Sequence, residues 1–342
     1  MLDKKLTLLD RVVNVVAFLF ALLVLGYAAG VLPPLLFEFQ ILCLICLLII
    51  GYGPEIQKAY KEKRHLLFSW NLMVFFFGLI SCLYIIPEIP RIRVNYGMTP
   101  PLGDVVFGTL LLISILELTR KRFGMALPII FFVFLLYALW GNLLPVEFFG
   151  HRGFSYPRVM SYAFGPAGIF GFIMSIFVRI IALFLIFGTL IHYSGMAEFL
   201  IDLANGMAGR WRGGPAKVAI LASAFLGTIQ GTSVTNVATT GSVTIPLMKR
   251  CGYQPSFAGA VEAAASVGGL LLPPIMGASA FLMAEFLSIP YRDVAIAATI
   301  PALLYFIGVY LMVDLEAVKR HLVGIKDTPP VKILLKKGFY HI

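Results

Sequence analysis

Long apolar segments separated by short polar ones make up most of this chain. A helix needs about 20 apolar residues to cross the hydrocarbon core of a bilayer. Segments that approach or exceed this length lie at 12–30, 35–53, 66–86, 103–119, 125–144, 172–193, 255–289 and 294–315. Val12–Gly30 shows no small-residue cleavage signature, so we expect it to be a transmembrane helix and not a signal peptide. The pattern predicts about eight membrane-spanning helices.

One polar stretch interrupts this pattern. The sequence 227-GTIQGTSVTNVATTGSVTIP-246 contains many hydroxyl side chains and Asn236, but no charge. Soon after it, glycines and prolines in 266-SVGGLLLPPIMG-277 interrupt the apolar segment 255–289. Because proline lacks an N–H and clashes with the preceding turn, carbonyls upstream of it lose their partners. We therefore expect 255–289 to form a broken helix.

Composition places the chain in a membrane. Of its 342 residues, 60% are hydrophobic and 13% are charged, and the mean hydropathy is +0.92. A soluble domain carries about a quarter charged residues, so lipid has to cover part of this apolar surface. We predict an all-α polytopic membrane protein with the lipid bilayer as a partner.

The distribution of basic residues predicts the orientation. If the N-terminus is cytoplasmic, most of the 27 Lys and Arg residues fall on the cytoplasmic side, as the positive-inside rule requires. These cytoplasmic segments account for the net charge of +10 without nucleic acid as a partner. The expected location is the inner (plasma) membrane, with several crossings and a cytoplasmic N-terminus.

The same orientation requires a re-entrant hairpin. It holds only if 218–249 enters the membrane from the cytoplasm and returns to it. We expect an ascending arm at Ala216–Leu226, a tip at Gly227–Thr235 and a returning arm at Val237–Arg250. Non-helical backbone at membrane depth persists only where it is buried in protein or lines a polar cavity, so the tip is a candidate site.

The uncharged oxygens of this tip suit a dehydrated Na⁺, which broken helices of secondary transporters coordinate near the membrane midplane. We expect the tip to face the second interruption, at Gly268-Gly269 and Pro273-Pro274. The alternative is that hydroxyls and glycines only allow helices to pack closely, and it is favoured for scattered small residues such as Ala263. Thr244, beyond the tip, is expected to contribute little to an ion site.

Three charged residues lie within apolar segments and need separate consideration. Glu285 and Arg179 are near an expected outer interface, where long side chains reach water by snorkelling. Glu262 is expected near the cytoplasmic start of its helix, where a negative charge suits the helix dipole. None of the three is predicted to be a proton relay.

Enzyme chemistry has little support in the sequence. The histidines are scattered, and none has metal-ligand spacing to another His or to a Cys. Cys43 and Cys46 lie in an apolar segment, where they are expected to be buried small hydrophobic residues. The sequence also lacks a Gly-rich phosphate loop, so we predict a protein that is not an enzyme and has no organic cofactor. A membrane-embedded enzyme remains the least favoured alternative because no acid, base and nucleophile converge.

One long stretch of the sequence resembles a known family. The stretch 231-GTSVTNVATTGSVTIPLMKRCGYQPSFAGAVEAAASVGGLLLPPIMGASAFLMAEFLSIPY-291 resembles the large membrane subunit of TRAP (tripartite ATP-independent periplasmic) transporters. The resemblance is specific over about 195–320. Over 1–145 only hydropathy and helix number agree with a fused small subunit. "MAEFLSIPY" and "RGGPAKVAILASAFLGTIQG" are most similar to the branch that TAXI-type binding proteins serve.

The resemblance implies a function and a set of site residues. It implies a Na⁺-driven symporter with an elevator mechanism, to which a periplasmic binding protein delivers a small organic anion, often a carboxylate. The Na⁺ site that it implies comprises Gly231, Ser233, Asn236, Gly268, Gly269 and Pro274. The substrate-binding residues that it implies are Thr232, Ser233, Thr235, Asn236 and Pro273.

The resemblance also implies a division of the chain. The expected parts are small-subunit-like scaffold helices at 1–145, a connecting loop and scaffold helix at 146–193, an amphipathic cytoplasmic arm helix at 194–217, the first half of a transport domain at 218–320 and a truncated cytoplasmic linker at 321–342. Family members carry a second inverted repeat. A fragment, a truncated gene and a split subunit whose second repeat comes from another chain are the alternatives that the sequence leaves open. The alternative function is an inactive or split half-subunit that acts only as a membrane scaffold.

Overall fold

Helices form almost all of the part of the chain that the structure describes. The computed structural model describes residues 8–32, 36–94, 100–145 and 150–325, together with positions 331 and 334, and contains no β-strand in them. Its helices are α1 Leu8–Ala28, α2 Leu36–Lys61, α3 His65–Val94, α4 Leu102–Phe123, α5 Ala126–Trp140, α6 Tyr156–Phe164, α7 Phe172–Ile176, α8 Ala182–Tyr193, α9 Met196–Ala208, α10 Gly214–Gln230, α11 Ser233–Arg250, α12 Pro255–Gly269, α13 Ala278–Phe286 and α14 Tyr291–Lys319. The prediction of an all-α fold is confirmed.

Seven of the described helical segments are long and apolar enough to cross a membrane. They are Leu8–Ala28, Leu36–Lys61, His65–Ile92, Leu102–Phe123, Ala126–Leu143, Phe172–Leu190 and Tyr291–Lys319. The number predicted from sequence was about eight, and the difference comes from 255–289. That segment consists of α12 and α13, separated by eight residues without regular helix, so neither helix alone reaches spanning length.

The chain divides into two units, Met1–Arg179 and Ile180–Ile342. In the first unit, α2, α3 and α4 pack around a buried apolar core that includes Leu48, Tyr52 and Ile85. The Tyr52 hydroxyl donates a hydrogen bond of 2.6 Å to the carbonyl of Ser114, which satisfies a polar group inside this core. Large apolar side chains on α5 are exposed, as expected of a helix whose solvent is lipid.

The second unit contains both sequence interruptions. Its core joins α10, α11, α12 and α14, and small residues such as Ala216, Ala219 and Ala265 are fully buried there. Small side chains let helix backbones approach closely. The fold of this unit therefore positions the polar stretch against the break after α12.

The amphipathic segment predicted at 194–217 differs from the observed helix. Helix α9 ends at Ala208, and α10 begins at Gly214 with Pro215 in its first turn. Gly213 adopts a left-handed φ of +64°, which favours glycine, and the chain reverses there. The predicted boundary at 217/218 was wrong because glycines and Pro215 end one helix and start the next. Most of the predicted linker 321–342 lies outside the described residues.

Candidate ion and substrate site

The polar stretch forms a helical hairpin from α10 and α11. The two helices are joined by Gly231 and Thr232, and Gly231 has a left-handed φ of +63°. Thr232 caps α11, because its hydroxyl oxygen accepts a hydrogen bond of 3.2 Å from the backbone N–H of Thr235. The chain thus reverses within two residues.

This tight turn corrects the predicted tip. A non-helical tip at Gly227–Thr235 was expected, but α10 continues through Gln230 and α11 begins at Ser233. The hydroxyl of Ser233 therefore lies in the first turn of a helix, and the Thr235 side chain is exposed there. A left-handed glycine followed by an N-cap threonine is sufficient to turn the chain, so no longer loop is needed.

Two glycines bring the hairpin against the end of α12. A Cβ added to Gly269 would lie 2.7 Å from the Cα of Gly227 and 3.2 Å from the carbonyl oxygen of Ser223. Real Cβ atoms do not approach backbone atoms that closely, so only glycine fits at this contact. The prediction that the two interruptions face each other is confirmed at Gly269. Gly268 instead faces α14, because its Cβ would lie 2.6 Å from the ring of Tyr305.

Asn236 lies at the junction of α10, α11 and α12. Its side chain is fully buried, and its Nδ2 donates a hydrogen bond of 2.8 Å to the carbonyl of Ser223. Its Oδ1 has no hydrogen-bond partner among the described residues. A buried acceptor without a partner is costly to the protein, which makes this oxygen a candidate ligand atom.

Gln230 is a second buried amide whose hydrogen-bonding groups lack partners. It is 3% exposed, and neither its Nε2 nor its Oε1 has a partner in the described structure. It lines a pocket of about 90 Å³ together with Gly231, Thr232, Met276 and Phe281. Sequence analysis listed no role for Gln230. The signal was present, because a long amide beside the turn glycine is unusual within apolar surroundings.

The segment after α12 reaches the hairpin through different residues from those expected. A Cβ on Gly231 would lie 2.9 Å from the carbonyl oxygen of Met276. Met276 is buried and has a φ of +57°, an uncommon conformation for a bulky residue. The Pro274 carbonyl instead accepts a hydrogen bond of 3.0 Å from the Tyr291 hydroxyl, and the Pro274 side chain is exposed.

Pro273 and Pro274, two of the predicted site residues, lie in the segment between α12 and α13. Among the described residues, no hydrogen bond joins either proline to Asn236 or to the turn, and the segment approaches Gly231 through Ile275 and Met276. The prolines end regular helix after α12, and the chain returns to the hairpin two residues later. Sequence reasoning located the break correctly but could not tell which of its residues turns inward.

The helix ends around the junction give the site its electrostatics. The last carbonyls of α10 carry partial negative charge, and those of α12 do so as well, although Val267, Gly268 and Gly269 also accept turn hydrogen bonds from the three residues that follow α12. The first N–H groups of α11 and α13 carry partial positive charge, and both helices begin beside the pocket, which is lined by Thr232, the N-cap of α11, and by Ala278, the first residue of α13. Carbonyl ends suit a cation and N–H ends suit an anion. Among the described residues no group of three or more His, Cys, Asp or Glu comes together.

The three intramembrane charges occupy different environments. Arg179 and Glu285 are exposed, and snorkelling stays a prediction for both. Glu262 is fully buried in the middle of α12 and not near its start, so its predicted role at the helix N-terminus was wrong. Its carboxylate accepts hydrogen bonds from the Thr240 and Thr244 hydroxyls, while the expectation that Thr244 contributes little to an ion site stays a prediction.

Comparison with known proteins agrees with this architecture. Residues 110–334 match the family described as "Tripartite ATP-independent periplasmic transporter, DctM component". A C4-dicarboxylate TRAP transporter large permease protein, DctM, from Pseudomonas aeruginosa is 35% identical over 140 residues, which are 41% of this chain and 32% of that protein. The isethionate TRAP transporter permease protein DctMQ of Oleidesulfovibrio alaskensis is 35% identical over 97 residues, which are 28% of this chain and 15% of that protein.

The matched regions are only part of each relative. The DctM protein of Rhodobacter capsulatus is 30% identical over 97 residues, 28% of this chain and 22% of its own length. The chain thus spans about a third or less of the curated relatives that it matches. The family is one of transporter permeases and not of enzymes. Because the family match covers well over half of its residues, this multi-pass membrane protein belongs to the DctM family of tripartite ATP-independent periplasmic transporters.

Proposed function

We propose that the chain is a permease subunit of a Na⁺-coupled secondary transporter that imports small organic anions delivered by a periplasmic binding protein. The observation that carries this proposal is the unpaired Oδ1 of Asn236. It lies at the junction of α10, α11 and α12, near the carbonyl end of α10 and beside the Gly227–Gly269 contact.

The chemistry of this junction fits Na⁺. Carbonyl and amide oxygens are hard, uncharged ligands of the kind that broken helices offer to Na⁺. Na⁺ would be held by Asn236 Oδ1 and by carbonyls of the turn and of the α12 end. Of the residues that the family resemblance implies, Gly231, Asn236 and Gly269 stand at this junction.

The pocket beside the turn fits an organic anion. Gln230 presents both a donor and an acceptor there, and the first turns of α11 and α13 supply N–H groups. Phe184, Leu185 and Phe281 form an apolar wall suited to a carbon skeleton. The names of the relatives specify C4-dicarboxylates and isethionate, which are small organic anions with carboxylate or sulfonate groups.

The remaining parts of the proposal concern assembly and movement. The hairpin enters from the cytoplasm and returns there, and residues 195–320 belong to an element that moves as an elevator relative to a fixed scaffold at 1–145. A binding protein, of TAXI type by the resemblance, delivers the anion. The N-terminus is cytoplasmic.

The test compares two asparagines whose amide oxygens are enclosed and have no partner in the described structure. Asn205, on α9, also has an enclosed amide oxygen with no partner in the described structure, so Asn205→Ala is a matched control for Asn236→Ala. In proteoliposomes with the complete assembly and its binding protein, Asn236→Ala should weaken the apparent Na⁺ affinity roughly tenfold to a hundredfold. Loss of a hydrogen bond to a charged group costs about 1.5–3 kcal/mol, which corresponds to that range. Asn205→Ala should leave Na⁺ affinity unchanged.

Two results would oppose the proposal in different ways. Equal Na⁺ dependence in both variants and the wild type would exclude Asn236 as a ligand. An assembly that binds its partners but moves no anion under any ion gradient would favour the alternative of a membrane scaffold.

A further inference from the structure

Glu262 is a buried ionisable group that the proposed cation and anion sites do not use. It lies in the middle of α12 with no exposed surface. Burial of an unpaired charge in a low-dielectric interior is very costly, so such groups are either paired or neutral. The surroundings of Glu262 therefore decide what it does.

Hydroxyl groups surround its carboxyl group. Oε1 accepts hydrogen bonds from Thr240, from Ser223 at 3.2 Å and from Ser266 at 3.4 Å, and Oε2 accepts one from Thr244. All four hydroxyl residues are fully buried. They come from three helices, so we call Ser223, Thr240, Thr244 and Ser266 the hydroxyl cage.

Within the described residues no cation pairs with Glu262. The buried cation of α10 is Lys217, which forms an ion pair of 2.6 Å with Asp314 and lies 4.7 Å from the centre of the Tyr310 ring. On α11, Lys249 and Arg250 are exposed at the helix end, and on α14 the Tyr305 hydroxyl donates to the carbonyl of Ala264. The cage therefore provides hydrogen bonds but no compensating positive charge.

The cage threonines can serve two protonation states of Glu262. Thr240 Oγ1 lies 2.8 Å from the carbonyl oxygen of Asn236, and Thr244 Oγ1 lies 2.9 Å from that of Thr240. A hydroxyl has only one hydrogen, so each threonine donates either to its own helix or to the carboxylate. An ionised Glu262 takes these hydrogens. A protonated Glu262 donates to one threonine, which then donates to its helix carbonyl.

Space favours a proton over a metal ion at this position. A Cβ on Gly241 would lie 3.1 Å from Glu262 Cγ, so α11 packs tightly on this side chain. The cage hydroxyls already lie within hydrogen-bond distance of both carboxylate oxygens. A proton adds no volume, whereas Na⁺ would force these oxygens apart.

We propose that Glu262 is a proton-binding site, which takes up a proton from water on one side of the membrane and releases it on the other. The carboxylate becomes a neutral acid by forming one O–H bond, and the cage hydroxyls rotate in response. Ser223 and Thr240 also contact Asn236, so the protonation state is linked to the candidate ion site through shared residues. Proton movement goes beyond the Na⁺-coupled function, and only the transport assay below rests on that function.

The first test is infrared spectroscopy of the purified chain. Glu262→Gln is the isostere of the neutral acid, and Glu285→Gln, at an exposed carboxylate on the neighbouring α13, is the control. The wild type and Glu285→Gln should show the carbonyl stretch of a protonated carboxyl group that disappears as the pH rises. Glu262→Gln should lack that band. An identical band in all three proteins, or none in the wild type, overturns the proposal.

The second test measures proton movement in proteoliposomes that contain the complete assembly and a trapped pH-sensitive dye. Substrate uptake should acidify the lumen in the wild type and Glu285→Gln. Glu262→Gln should lose this acidification and retain substrate exchange. Unchanged acidification in Glu262→Gln overturns the proposal, and so does its failure to fold, because the neutral isostere has to be tolerated. The two sites can fail separately. If Glu262→Gln loses proton movement while Asn236→Ala keeps the Na⁺ dependence of the wild type, the proposed cation site fails and the proton site stands.

Discussion

The contact between Gly227 and Gly269 is the basis of our sharpest stability prediction. In Gly269→Ala the new Cβ would lie 2.7 Å from Gly227 Cα and 3.2 Å from Asn236 Nδ2. Carbon atoms pack best at about 3.5–4.0 Å, so α10 and α12 have to separate by roughly 1 Å. The neighbouring atoms include backbone, which cannot rotate away as a flexible side chain does. We expect a destabilisation of about 1–3 kcal/mol, the usual cost of overpacking a core.

Gly259→Ala on the same helix is the control. A Cβ there meets no atom within 4 Å, and replacement of a glycine inside a helix by alanine stabilises by about 0.5–1 kcal/mol. Thermal unfolding of the purified chain should therefore give a lower Tm for Gly269→Ala and an unchanged or higher Tm for Gly259→Ala. Gly269→Ala should also weaken Na⁺ binding, because the new Cβ crowds Asn236 Nδ2 and so displaces the side chain that carries the proposed ligand oxygen. Equal Tm values for the two variants would refute the close contact.

Two further predictions concern the pocket and the end of α11. Gln230→Leu removes a buried amide that has no partners in the described structure. The Tm should therefore stay the same or rise, while uptake assays should show a roughly tenfold weaker affinity for the anion. Unchanged anion affinity would exclude Gln230 from the site. Burial, and to a lesser extent Asp314, raises the pKa of Tyr253 from 10.0 to about 12. Its contribution to stability is therefore complete below about pH 10 and is lost as the pH rises towards 12; the alkaline fall in Tm should be smaller in Tyr253→Phe, and identical pH profiles would contradict this.

Sequence reasoning was most successful where a break in a pattern has a local cause. Apolar length predicted the spanning helices, and the glycines and prolines of 266–277 predicted the end of α12. It failed where a contact depends on distant residues. The inward turn of Met276 and the engagement of Pro274 by Tyr291 depend on α14, and no local pattern indicates which residue of a break will face a hairpin.

The polar stretch itself shows how helical periodicity was missed. The sequence was divided into a tip at Gly227–Thr235 and a returning arm at Val237–Arg250, but the hydroxyls of the arm were not assigned to helix faces. Asn236, Thr240 and Thr244 are spaced by four residues, so they share one face of α11, and all three are fully buried. Thr239 and Ser242, on other faces, bond to carbonyls of their own helix. The stretch is therefore two chemically different sets, of which the buried one runs from the Asn236 junction to the Glu262 carboxyl group. A continuous polar face of this kind gives a physical route by which the protonation of Glu262 and the occupancy of the tip influence each other.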